Sequence, residues 1–296
     1  MKEKPFSKYQ ILANAVMIIW TLAIILPFIL LFMSSITDEN TLVANGYSFF
    51  PKKFSLASYS YIIISGGQIL KAYGVSIGVT VVGTLLNVLL SALMAYPLSV
   101  KNLPGRNVMM FFVFFTMLFN GGIVPSYIMW TGTFHIKDTI FAQLLPNFLL
   151  SAWNVMMIRT YFTTSIPDGL YEAAEIDGAS QFTIFWKIVL PLGKPILVTM
   201  GTFAGLAYWN DWTNGLYYIV KNTGLYNVQN LLNQMVQNIQ FLTQSSNSNV
   251  TAAASTIPAT GIQMAIAFVA ILPIMLIFPS FQKYYAKGIA LGAVKG

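Results

Sequence analysis

The chain is 296 residues long, 56% apolar and 8% charged, where a soluble domain carries about 25% charged residues. That composition excludes an ordinary soluble globular protein. The net charge of +7 does not point to nucleic acid, because the basic residues sit in short flanks of apolar segments, as they do where charge sets membrane topology. Cysteine is absent, so disulfides, thiolate metal ligands and thiolate nucleophiles are excluded.

The first apolar run, 11–36, follows Lys2, Lys4 and Lys8 and so imitates a signal peptide. It is far longer than the roughly 7–15 residues of a signal core, and it reads as a first membrane span over about 11–33. Predominantly apolar stretches of about 20 residues cross a hydrocarbon core, and five more are expected on that basis. The second covers 74–100. The third, 107–130, is interrupted by Asn120-Gly121-Gly122 and Pro125. The fourth covers 139–161; the fifth, 195–209, is short and opens on Pro195, where a missing N–H does no harm. The sixth covers 262–281. The expected fold class is an all-α membrane protein with six transmembrane helices in a single domain, 1–296.

With the N-terminus cytoplasmic, the inner segments hold Lys2, Lys4, Lys8, Lys101, Arg106, Arg159, Lys187, Lys194, Lys283, Lys287 and Lys295. The outer segments hold only Lys52, Lys53, Lys71, Lys137 and Lys221. This excess fits the positive-inside rule with both termini cytoplasmic. The outer segment 37–73 has Phe49-Phe50-Pro51 and an apolar patch at 61–64, and is expected to be folded. In the polar segment 222–255, Val228, Leu231, Leu232, Met235, Ile239 and Leu242 recur at helical spacing, which predicts an amphipathic helix.

The most informative stretch is a charged island, 162–194, between two long apolar segments. Pro167 stands where a helix begins, and Asp168 adds an acid in the first turn, favourable against the helix dipole. Good helix formers run to Ile176. Asp177-Gly178 then forms a stop, since glycine tolerates the left-handed conformation that ends helices. Ser180 can cap a second helix reaching about Val189, with Leu190-Pro191 expected to break it. Small residues at Ala173 and Ala174 admit the close approach of another protein, and Glu172 and Glu175 present charge to basic partners. An ordinary loop helix with no partner is the alternative.

Glu172-Ala173-Ala174, Asp177-Gly178-Ala179 and Ile188-Val189-Leu190-Pro191 resemble the EAA motif of ABC importer permeases, with spacing similar to the type I, carbohydrate-uptake group. The ending Gly288 to Gly296 is similar to that of the second permease subunit of maltose-type systems. Asn120-Gly121-Gly122-Ile123-Val124-Pro125-Ser126-Tyr127, followed by Lys137-Asp138-Thr139, resembles a branch importing complex, including uronate-containing, oligosaccharides. The resemblance implies a half-transporter in the cell membrane. Its partners would be a second homologous permease, two ABC ATPase subunits that bind ATP and Mg, and an extracytoplasmic binding protein delivering an oligosaccharide. It also implies that Glu172, Ala173, Ala174, Asp177 and Gly178 couple the permease to an ATPase: Glu172 pairing with a basic residue, Ala173 allowing close contact, Gly178 setting the angle between the two short helices.

No Gly-x-x-x-x-Gly-Lys-[Ser/Thr] loop occurs, so the chain is expected to bind no ATP itself and to need no cofactor. Sugar recognition uses aromatic faces and amide or carboxyl groups. Tyr208-Trp209-Asn210-Asp211-Trp212 supplies both, although Trp and Tyr also collect at membrane interfaces. Asn120 faces substrate if its break lies at membrane depth and is a surface turn otherwise. Tyr208, Trp209, Asn210, Asp211 and Asn120 are therefore candidate path residues. Lys71 and Lys137 either favour acidic sugars or are solvated loop charges. His135, the one histidine, reads as a loop residue. Paired intramembrane carboxylates and Ser/His/Asp groupings are not visible, so the chain is not expected to be an enzyme or to hold a metal. The rival readings are a permease for a non-sugar solute and an ion-coupled secondary transporter, the latter disfavoured by spans without acids.

Overall fold

The computed structural model describes residues 8–64, 66–244 and 259–293. The chain is helical almost throughout, and one antiparallel bridge, between Thr37 and Phe54, is the only β pairing among the described residues. The helices divide into two compact units.

One unit takes the described residues up to Ile69 and those from Leu232 to Pro273. Helix α1, Lys8–Ser35, is apolar along its length and exposes large side chains such as Trp20 and Ile19. An all-round apolar helix with so little of itself buried belongs in lipid. The segment expected to lie outside, 37–73, is folded over its described residues. Helix α2 covers Glu39–Asn45 and α3 covers Ala57–Ile64. Between them Asp38 N–H donates to the Lys53 carbonyl at 3.0 Å and the Asp38 carboxylate pairs with Lys53 at 3.3 Å. Both oxygens of Glu39 are used: they accept from the backbone N–H groups of Thr260 and Gly261, at 2.9 and 2.8 Å. That carboxylate satisfies donors which a helix start leaves orphaned.

The other unit takes Leu70–Leu231 and the described residues from Ile274. Helix α4, Gly66–Ser99, provides most of its length here. Next come α5, Arg106–Leu118, and α6, Ile123–Ile128, the latter running into a π turn at Met129–Thr133. The two halves of this third segment meet at 109°, with the break at Asn120-Gly121-Gly122 that the sequence marks. The fourth segment differs from expectation. A short α7, Phe141–Leu144, is followed by irregular backbone, and α8 starts only at Ala152 and runs to Ser165. Pro146 cannot donate a helical hydrogen bond, and Asn147 adopts a left-handed φ of 67°, which asparagine tolerates.

The charged island forms α9, Asp168–Ile176, and α10, Gln181–Ile184. A π turn over Phe185–Val189 leads into α11, Leu190–Leu192, and α12, Lys194–Trp209, follows at a bend of 78°. Pro191 therefore does not end the second short helix. The widened turn falls where the proline ring would otherwise meet the Lys187 carbonyl, and helical backbone continues to Leu192. The bend sits at Gly193, where an added Cβ would lie 2.5 Å from the Phe162 ring.

Helix α13 covers Thr213–Tyr218 and α14 covers Val228–Gln244. The predicted amphipathic helix is thus present, with Val228 and Leu231 buried; the side chains of Ile239 and Leu242 lie outside the described ones. Helix α15, Ala259–Ala293, ends the described chain, so the last three residues of the family-like tail lie outside it. Among the described residues three helices are long and apolar enough to cross a membrane, or up to five if each bent pair is one span.

The core of the second unit packs Ala92, Ala95 and Leu98 of α4 against Val155, Ile158 and Phe162 of α8, with Ile184, Phe185 and Val189 closing the end nearest α9. At another corner one acid joins two distant loops. The Asp138 carboxylate accepts from the N–H groups of Val220, Lys221 and Asn222 at 2.7, 2.7 and 3.2 Å, and Asp138 N–H donates to the Tyr218 carbonyl at 3.0 Å. These backbone donors, Lys221 first, hold the exposed Asp138 carboxyl below the usual carboxylate range.

Because that value is lowered in the folded state, the clamp is intact above the ordinary carboxylate pKa and is lost as pH falls through the lowered one. Asp138→Ala is expected to speed amide exchange at Val220, Lys221 and Asn222 by about tenfold or more at neutral pH. Hydrogen exchange of the purified protein reads it. In the native protein the same amides lose protection in acid.

Candidate functional site

The charged island is built by local signals. Asp177 N–H donates to the Ala173 carbonyl at 3.0 Å, Gly178 N–H to Glu175 at 3.0 Å and Ala179 N–H to Ala174 at 2.9 Å. Gly178 sits at φ +75°. The last two bonds together with that φ form a Schellman motif, which caps the orphan carbonyls of α9 and reverses the chain. Ser180 then opens α10 by accepting from Thr183 N–H at 3.2 Å. The result is a helical hairpin with a defined angle.

Its attachment to the rest of the unit is polar and aromatic. The Tyr96 hydroxyl, near the end of α4, donates to Gln181 Oε1 at 2.6 Å, and Gln181 Nε2 donates to Glu175 Oε1 at 2.9 Å. The Tyr96 ring lies 6.5 Å from that of Tyr171 and 5.4 Å from that of Phe185. Burial pushes the Tyr171 hydroxyl up to about 12, with Tyr96 and Asp168 adding to the effect. Lys101 pairs with Asp168.

The five candidate coupling residues separate by direction. Glu172, Ala173, Asp177 and Gly178 are exposed, and among the described residues no hydrogen bond or ion pair engages the Glu172 carboxylate. Ala174 is buried and belongs to the unit's own core, so its small size serves the seating of α9. Glu175 is spent on Gln181. Ile176 was not singled out in the sequence, yet it is 86% exposed, the most exposed large apolar side chain on the hairpin. An apolar residue in the last turn of a short helix, directly before Asp-Gly, was the available signal.

The candidate path residues also divide. Asn120 is exposed and its Oδ1 accepts from Gly122 N–H at 2.8 Å, a turn closed on itself. Tyr208 is buried. Its hydroxyl donates to the Leu144 carbonyl at 2.9 Å, and its ring lies where a Cβ on Gly83 would come within 2.5 Å. Trp209 is buried with its ring 6.3 Å from that of Tyr73. Asp211 is buried and accepts at Oδ1 from Thr213 and Asn214 N–H, at 3.0 and 3.2 Å, starting α13. Asn210 is exposed. Tyr208, Trp209 and Asp211 thus build a wall, whereas Asn120 and Asn210 reach outward.

Beside that wall lies an open groove of about 450 Å³, lined by Lys71, Gly74, Val75, Gly78, Val79 and Val82 of α4, with Ile140, Leu144 and Gly224 opposite. Above Gly74 and Gly78 nothing lies within 4 Å of where a Cβ would stand. Among the described residues no His, Cys, Asp or Glu grouping suits a metal ion.

Residues 72–291 match the family described as binding-protein-dependent transport system inner membrane component. Protein LplC of Bacillus subtilis (strain 168) is 36% identical over 272 residues, covering 92% of this chain and 90% of LplC. The polygalacturonan/rhamnogalacturonan transport system permease protein YtcP of the same organism is 36% identical over 288 residues, 97% of this chain and 98% of YtcP. A solved chain from a bacterial ABC transporter involved in the import of the acidic polysaccharide alginate matches with a TM-score of 0.79 and 26% identity, over 96% of this chain and 100% of that one. The helical hairpin, the broken apolar helices and these matches lead to one conclusion: the chain belongs to the family of binding-protein-dependent transport system inner membrane components and is a multi-pass ABC transporter permease.

Proposed function

We propose that this permease is one half of the membrane channel of an ATP-driven importer, and that its cargo is an oligosaccharide handed over by an extracytoplasmic binding protein. A second, homologous permease completes the channel. Two ABC ATPase subunits dock beneath and hold the ATP and Mg; the chain itself binds neither. The whole of 1–296 acts as a single permease domain with six crossings and both termini cytoplasmic. In that count α8, with the irregular backbone before it, supplies the fourth crossing; its 14 residues span about 21 Å.

The observation that carries the coupling role is the hairpin with an outward face. Glu172, Ala173, Asp177 and Gly178 lie exposed on it beside Ile176, while Ala174 and the Glu175–Gln181–Tyr96 chain tie its back to the core. Ile176 supplies an apolar anchor, Ala173 permits close approach and Glu172 offers a free carboxylate to a basic ATPase residue. Closure of the ATPase dimer then pulls on a rigid element, and the tied core transmits the pull. On the path, Asn120 and Asn210 offer amides to sugar hydroxyls, and Tyr208, Trp209 and Asp211 shape the wall behind them. The cargo class follows from the relatives: one carries polygalacturonan or rhamnogalacturonan in its name, and the solved transporter imports alginate.

Glu172→Lys should reverse the charge at the docking face and lower sugar uptake per ATP hydrolysed by about tenfold or more, the size of an interface hot spot. Reconstituted complexes in proteoliposomes measure that ratio, and wild-type coupling in the variant sinks the role of Glu172. Gly178→Val places a β-branched residue at φ +75°, at a strain of about 1–3 kcal/mol. It should release the hairpin angle and uncouple transport in the same assay, with Gly178→Asn affected least.

ATPase activity of the complete complex should rise when the binding protein is loaded with an oligosaccharide and stay at its basal level with amino acids, phosphate or polyamines. Stimulation by one of those solutes instead moves the cargo outside carbohydrates.

A further inference from the structure

The outer segments carry five lysines, and the structure separates them. Lys53 pairs with Asp38 at 3.3 Å and Lys52 reaches Asn45 Oδ1 at 3.4 Å. Lys137 donates to the Tyr127 hydroxyl at 3.1 Å and lies over that ring at 5.8 Å. Lys221 lends its backbone N–H to the Asp138 clamp. Lys71 alone among them lines the groove on α4, and among the described residues its ammonium has neither an acid nor a hydrogen-bond acceptor.

Its position along α4 matters. The helix has 34 residues, about 51 Å at 1.5 Å per residue, against a hydrocarbon core of about 30 Å. Lys71 is the sixth residue of that helix, at the end remote from the hairpin contact at Tyr96. Below it the groove is smooth: the glycines leave bare backbone, and the valines supply aliphatic walls. A pyranose ring has apolar C–H faces that fit such walls. The groove's one ionisable group is a cation, carried on the exposed first turns of α4. A site for passage must also bind loosely enough for the cargo to leave. One cation above apolar walls meets that condition better than a full set of hydrogen bonds.

We infer that Lys71 receives the carboxylate of an acidic, uronate-containing oligosaccharide at the mouth of the α4 groove, and that it is a determinant of specificity for acidic over neutral cargo. The inference rests on the oligosaccharide reading above and narrows it. Charge complementarity carries it, together with the acidic polysaccharides named for the relatives. The opposite wall, at Ile140 and Gly224, is held in place from Asp138, whose clamp reaches Val220, Lys221 and Asn222.

The test uses the full complex in proteoliposomes with saturating binding protein loaded with trigalacturonate or with its carboxyl-reduced, neutral counterpart. Lys71→Gln keeps length and polarity but removes the charge. It should cut uptake of the uronate by about tenfold or more, the worth of one charge-assisted hydrogen bond, and leave the neutral sugar within about twofold. Lys71→Arg should restore uronate uptake, which a purely structural role of the lysine stem would not require of the charge. Lys52→Gln, an equal loss of charge elsewhere on the outer face, should change neither. Equal loss on both sugars, as expected if the groove instead seats a helix of the partner permease, overturns the inference. So does wild-type uronate uptake in Lys71→Gln. A wild-type complex stimulated only by neutral glycans overturns the acidic specificity while keeping the oligosaccharide reading. One stimulated by no glycan overturns both.

Discussion

The fold of the second unit depends on one constraint: backbone that leaves the helix in apolar surroundings must find its hydrogen bonds inside the protein. Two breaks in this unit, at 145–151 and around 210–213, rest on buried amide side chains. Amide side chains supply the missing partners. Asn87 donates to the Phe148 carbonyl at 2.6 Å and accepts from Asn154 at 2.7 Å. Asn214 donates to the Pro146 carbonyl at 3.1 Å, Asn227 to the Asp211 carbonyl at 2.5 Å, and Asn230 to the Trp212 carbonyl. Gln143, fully buried, bonds both Asn230 and Asn227, at 3.1 and 3.4 Å. Each amide has donors and acceptors, so one side chain can serve a carbonyl and another amide at once. A fully satisfied network of this kind fixes one geometry, because any slip leaves a buried polar group bare.

That fixed geometry explains why Tyr208 and Trp209 are not interface anchors. Tyr208 sits where Gly83 leaves room and uses its hydroxyl on Leu144, the last residue of α7. Asp211 starts α13 immediately beyond. The run thus spends most of its polar atoms on structure, the buried Asp211 Oδ2 having no hydrogen-bond partner among the described residues, and leaves Asn210 as its outward member.

Much of the hairpin was legible because its signals are local. Pro167 and Asp168 start it, Gly178 turns it and Ser180 restarts it, all within 14 residues of sequence. The break at Asn120-Gly121-Gly122 was legible for the same reason. What escaped reading depends on partners far along the chain. Asn87 meets Phe148 and Asn154 across 61 and 67 positions, and Asp138 meets residues 82 to 84 positions away. No periodicity announces such pairs. Ala174 was read as facing outward with Ala173, but its side chain, about 100° round the helix from that of Ala173, is buried in the unit's core. Pro191 was read as a stop, and the π turn before it removes the clash that would make it one. Pro146 was visible inside the fourth apolar run, yet length and hydropathy outweighed it there.

Helix α4 connects the hairpin to the groove. Tyr96 lies near one end and bonds Gln181 of the hairpin; Lys71 lies near the other and borders the groove. Twenty-five positions of continuous helix separate them, about 38 Å. A helix of that length with its core face packed on Val155, Ile158 and Phe162 moves as a body and does not bend freely. On the proposed coupling role, a force applied at Glu172 or Ile176 has a short route: through the capped α9, across Glu175 and Gln181 to Tyr96, then along α4 to the groove. Every joint on that route is a hydrogen bond or a buried ring contact, and none is a flexible loop. At the groove the α4 wall is packed on the facing one: Val79 and Leu144 share a buried cluster with Tyr208, and Val75 and Ile140 pack against it.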